Sequence, residues 1–104
     1  MTKEEFFKKK EELRREFRKK EDSLEMEYAS SNNQVKIGDL IRDHIGCGKV
    51  LSYKCTTPYG YNSPSMVYEC VEYTVKGKPK KYQSERVIFQ VNLIEINGVP
   101  YKYE

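Results

Sequence analysis

Met66-Val67-Tyr68-Glu69-Cys70-Val71-Glu72-Tyr73-Thr74-Val75 is the stretch on which the fold turns. It reads as a strand that is apolar on both faces at its start and, further on, only on the face of Val71, Tyr73 and Val75. A strand needing cover on both sides implies a small closed barrel, or a sheet with a helix laid over it.

Outward from this strand the pattern stays β. Upstream, Lys49-Val50-Leu51-Ser52-Tyr53-Lys54-Cys55 alternates and sets Leu51, Tyr53 and Cys55 on one face. The loop Thr57–Pro64, with two prolines and one glycine, separates the two strands. Earlier still, Val35 and Ile37 alternate within residues 34–42, and a Gly38-Asp39 step predicts a strand with a bend. His44-Ile45-Gly46-Cys47-Gly48 then supplies a tight loop. Downstream, Lys76-Gly77-Lys78-Pro79-Lys80-Lys81 forms a basic turn. Arg86–Val91 is a fourth strand and Leu93–Ile96 continues the pattern. Asn97-Gly98 is a type I′ hairpin signal before Val99–Tyr103. The expected fold is mainly β: a small five- or six-stranded antiparallel barrel over residues 35–104.

The segment Val35-Lys36-Ile37-Gly38-Asp39-Leu40-Ile41 followed by Gly46-Cys47-Gly48-Lys49-Val50-Leu51-Ser52 resembles the opening of Tudor-like and KOW-like small β-barrels. In those, a Gly-Asp strand precedes a glycine turn and a Gly-x-Val strand. The resemblance covers about 20 residues and implies a barrel that docks on peptides, proteins, RNA or DNA through loop tips and edge strands. It implies no particular ligand, since nothing here matches an acidic and aromatic methyl-lysine cage.

Residues 1–28 have a different composition, dense in charge and without Gly or Pro. Thr2 followed by Glu5 is a capping box that predicts a helix starting at Lys3. Phe6, Leu13, Phe17, Leu24 and Tyr28 fall on a stripe about 60° wide at 100° per residue, with Lys10 and Lys20 in its gaps. Glu4–Lys8, Glu5–Lys9, Glu11–Arg15 and Glu16–Lys20 are spaced i,i+4 in the supportive order. At about 1.5 Å per residue, residues 3–28 span roughly 39 Å, more than a small barrel covers, so part of the helix projects or meets another chain. Packing of Phe6, Leu13 and Phe17 on the barrel would add to a marginal core. Residues 29–34, Ala-Ser-Ser-Asn-Asn-Gln, read as a polar linker.

The 19 basic and 16 acidic side chains leave a formal charge of +3. The helix segment cancels internally, so the excess falls on the β part, most densely at Lys76–Lys81. No apolar run is long enough for a membrane span or a signal peptide, which points to a soluble, cytoplasmic protein with no membrane partner. Cys47, Cys55 and Cys70 are odd in number and form no C-x-x-C pair. With His44 they make a set that would bind zinc only if the fold gathered them; the alternative is buried, reduced thiols acting as small hydrophobes. The expectation is no metal and no cofactor. His44 is the one histidine, with no recognisable orienting residue or oxyanion loop around it. Glu69 and Glu72 fall on opposite faces of their strand, and no phosphate-cradling glycine motif is present.

These readings favour a non-enzymatic interaction module. One route is protein docking, with a homodimer among the options, through the helix stripe Phe6, Leu13, Phe17, Leu24 and Tyr28 or the loop aromatics Tyr59 and Tyr61. The alternative is nucleic-acid binding, with Lys76, Lys78, Lys80 and Lys81 on phosphates and Tyr82 or a loop tyrosine stacking on bases. In size, a charged helix on a minimal barrel matches phage or mobile-element accessory proteins that occupy a host factor's surface, an analogy alone.

Overall fold

The capping box forms as its spacing predicts. Thr2 Oγ1 accepts the Glu5 N–H at 3.2 Å, and the Glu5 carboxylate accepts the Thr2 N–H at 3.4 Å. From it runs helix α1, Lys3–Ser31, 29 residues long. The structure, a computed structural model, describes residues 1–82 and 84–103. Residues 83 and 104 of the expected 35–104 unit therefore lie outside the described residues.

The helix outlasts its expected end. Ala29, Ser30 and Ser31, read as linker, complete another turn, because Ala29 is buried in the core and tertiary packing outweighs the polar composition. Side chains close the end. Ser31 Oγ and Asn32 Nδ2 both donate to the Tyr28 carbonyl, at 2.7 and 3.0 Å. Asn33 replaces the rest of the linker with a fixed corner. Its side chain accepts the Val35 N–H at 3.0 Å and donates to the Val35 carbonyl at 2.9 Å.

The remainder is one antiparallel sheet. Its strands are β1 Leu40–Arg42, β2 Cys47–Thr56, β3 Ser65–Tyr73, β4 Glu85–Phe89, β5 Glu95–Ile96 and β6 Val99–Pro100. Their order across the sheet is β4-β3-β2-β1-β5-β6. The sheet is open, not the expected closed barrel: β4 and β6 are its two edges and do not pair among the described residues. Closure fails because β5 and β6 are two residues each, too short to carry the sheet round to β4.

Central strand β3 does need cover on both sides: Met66, Val67 and Tyr68 are all buried. Met66, Tyr68 and Cys70 face the core with Ala29, Val35, Ile41, Val50, Ile88 and Leu93. Burying side chains such as Ile41 and Ile88 contributes about 1.5–3 kcal/mol each. Gly48 permits a close approach of β2 to β3, since a Cβ there would come within 2.6 Å of Cys70 Cβ.

Local readings shift for identifiable reasons. A bulge between Val50 and Ser52 leaves Leu51 without a partner, so it is exposed while Tyr53 pairs with Tyr68 and Cys55 with Met66. The expected strand over Val35–Ile37 is absent. Asp39 instead closes a turn, accepting the Lys36 N–H at 2.8 Å. Strand β4 stops at Phe89 because Gln90 turns inward into a short 3-10 turn, Gln90–Asn92. The Asn97-Gly98 turn is as predicted, with φ of 51° and 82° joining β5 to β6.

The helix rests on the ends of β2 and β3 through its last turns, where Glu25 is half-buried and its carbonyl accepts a weak hydrogen bond from Cys55 Sγ at 3.6 Å. The rest projects. The extents are 66 × 31 × 22 Å and the Cα radius of gyration is 18.5 Å, against about 13 Å for a compact chain of this length. Phe6, Leu13 and Phe17, expected to add to the core, do not: the stripe lies about 140° round the helix from Ala29 and faces away from the sheet.

Candidate interaction surface

The stripe is exposed along the projecting helix. Phe6 is 51% exposed, Leu13 65%, Phe17 69%, Leu24 66% and Tyr28 47%. Phe6 meets Phe7 edge to face with centroids 5.5 Å apart, and the Lys10 ammonium stands 6.0 Å from the Phe6 ring. Leu13 and Phe17 line an open groove whose walls change sign along the helix. Lys10, Arg14 and Arg18 flank its N-terminal part; Glu21, Asp22 and Glu25 flank its C-terminal part. Residues 8–20 carry eight basic and three acidic side chains, and residues 21–27 four acidic and no basic ones. Of the i,i+4 pairs, Glu11 and Arg15 stand 3.9 Å apart, both well exposed, so the pair adds little stability.

The basic segment turns about Gly77, and its four lysines are exposed. The Thr74 N–H donates to the Lys78 carbonyl at 2.8 Å, and the Gly77 N–H to the Thr74 carbonyl at 2.9 Å. Lys80 pairs with Glu72 at 3.2 Å, and Ser84 Oγ donates to the same carboxylate at 2.6 Å. These hydrogen bonds, Ser84's first and Lys80's next, hold the Glu72 carboxyl below its ordinary value. Lys76 and Lys78 are exposed, and Lys81 Nζ lies 5.9 Å from the Tyr82 ring. The tyrosines of the long loop are not equivalent either. Tyr59 is fully exposed, while Tyr61 packs edge to face on Tyr103, centroids 6.1 Å apart. Sequence reasoning did not bring Tyr28, Tyr101 and Tyr103 together. They line a cleft of about 410 Å³ beside Asn32, made only when the chain's last segment returns to the helix end.

Cys47, Cys55, Cys70 and His44 are not gathered. Cys70 sits in the core and Cys55 lies against the helix; Cys47 is buried at the start of β2, and His44 is exposed in the preceding loop. Among the described residues no group of three or more His, Cys, Asp or Glu side chains is placed to hold a metal ion. Burial pushes all three thiols up, Cys70 to about 11, so they stay protonated and weakly nucleophilic near neutral pH.

Two polar clusters stand behind these surfaces, and neither was visible in the sequence because their members are far apart along the chain. Asp43 accepts both Arg86 Nη2 hydrogen bonds at 2.7 and 2.8 Å, and the N–H groups of Ile45 and Gly46 at 2.9 and 3.0 Å. Burial alone would raise the Asp43 pKa, but these donors outweigh it and the carboxyl is held below its ordinary value. Gln90 is buried beneath the helix end. Its Oε1 accepts the Met66 N–H at 2.9 Å, and its Nε2 donates to the Asn32 carbonyl at 3.1 Å and to Tyr101 Oη at 3.2 Å. Beside it Tyr68 Oη donates to Asn33 Oδ1 at 2.6 Å. Among the described residues no helix is long and apolar enough to cross a membrane. No known family model, no curated protein and no solved structure matches this chain.

Proposed function

We infer that this protein is a non-enzymatic interaction module whose helix docks on a protein partner through Phe6, Leu13, Phe17 and Leu24. The observation that carries the reading is the direction of the stripe. Large apolar side chains are held out on a projecting helix, on the side turned from their own sheet, where they cannot be buried within the chain. An apolar line with anchors spaced four and seven apart is what a helix offers to a groove or to another helix. The basic turn supports nucleic-acid binding less well, because Lys80 is already paired with Glu72.

A photo-reactive phenylalanine analogue in place of Phe17 tests the reading in cells. It should cross-link to protein, whether another chain or a second copy. The same probe at Lys19, on the far side of the helix, should give little. Adducts that are equal at both positions, or absent from both, would sink the reading. The triple variant Leu13→Ser, Phe17→Ser, Leu24→Ser should keep the sheet folded and lose the adducts formed from a probe at Phe6.

A further inference from the structure

We propose that the stripe pairs with the same stripe of a second copy, the two helices lying antiparallel and centred on Arg15. This deepens the docking reading and rests on it. The first ground is spacing. Phe6 stands nine residues before Arg15 and Leu24 nine after; Leu13 stands two before and Phe17 two after. Turned end for end, the pattern falls on itself, so Phe6 meets Leu24 of the second copy and Leu13 meets its Phe17. A heptad seam in the antiparallel sense pairs its layers in this way.

The second ground is where the helix is free. It leaves the sheet before Glu25, and Arg15 lies near the middle of the length that projects. Two copies therefore overlap along the projecting helix and carry their sheets at opposite ends.

Charge supplies a third, smaller ground. The groove beside Leu13 and Phe17 is basic at Lys10, Arg14 and Arg18 and acidic at Glu21, Asp22 and Glu25. A parallel copy would stack acid on acid and base on base. An antiparallel one places Glu21 about 1.5 Å along the axis from level with Lys10, on the same flank, while the two copies of Arg14 lie about 3 Å apart along the axis near the centre. Lys10 and Lys20, in the gaps of the stripe, lie level with each other between copies and keep the pairing weak and reversible.

Sedimentation equilibrium of the full chain at micromolar to millimolar concentration, with directed variants, tests the proposal. The wild type should be a dimer at the upper end, and Leu13→Ser with Phe17→Ser should be a folded monomer throughout. Lys10→Leu with Lys20→Leu should tighten the dimer by about tenfold or more. Mixed Leu13→Cys and Phe17→Cys proteins, oxidised and mapped by peptide mass spectrometry, should yield mainly 13-to-17 links. Predominance of 13-to-13 and 17-to-17 links would show a parallel pair and overturn the arrangement. A monomer at millimolar concentration would overturn self-pairing. If such a monomer still formed Phe17-probe adducts with other proteins, docking would stand without it; a dimer that survives loss of Leu13 and Phe17 would remove both.

Discussion

Asp43 shows how one side chain can hold a loop and bind across the sheet at once. It caps the Ile45 and Gly46 N–H groups and binds Arg86 from edge strand β4, and the pair is largely buried, with side-chain exposures of 9% and 13%. Removing one partner of such a pair leaves an uncompensated charge, so Asp43→Asn should cost about 3 kcal/mol in denaturant unfolding. The pH dependence follows from the lowered carboxyl pKa. Its stabilisation is present above the ordinary carboxylate value, about 4, and is lost as pH falls through the lower folded value. Wild-type stability should therefore fall below about pH 4, and less steeply in Asp43→Asn. A parallel acid dependence in the two proteins would show that Asp43 is not the group responsible. Nothing along the sequence links Asp43 with Arg86, since 43 residues separate them; only the sheet puts them together.

At the scale of elements, the two ends of helix α1 make the sharpest contrast. Its start is written locally, because the capping box needs only Thr2 and Glu5 in register. Its finish depends on contacts from the far end of the chain. Gln90 binds the Asn32 carbonyl while Ala29 packs into the core, and these turn a polar run into the last helical turn. Gln90→Leu would keep the volume and remove three hydrogen bonds, leaving the Met66 N–H and Asn32 carbonyl unsatisfied. The expected loss is about 2 kcal/mol. Amide exchange should also speed up selectively at residues 29–33, while the projecting helix and β4 keep their rates. An unchanged pattern would place the helix stop elsewhere. The bulge at Leu51 belongs to the same scale: alternation was legible over 49–55, but the register slip that turns Leu51 outward comes from pairing with β3.

For the whole molecule, elongation is the measurable consequence. Solution scattering from dilute protein should give a radius of gyration near the 18.5 Å of the structure and well above the roughly 13 Å of a compact chain. A compact value would mean that the helix folds back on the sheet and covers its stripe. By itself the sequence determined the helix and its cap, the β character of the rest, the Asn97-Gly98 hairpin and the spacing of the stripe. These are signals of short range, set by periodicity, capping and turn chemistry. Only the tertiary structure decided that the sheet stays open, where the helix docks and, through that docking, that the stripe faces away from the sheet. Each of these depends on strand lengths, a bulge and buried polar contacts between residues far apart in the chain, where pattern along the chain carries no information about which residues meet.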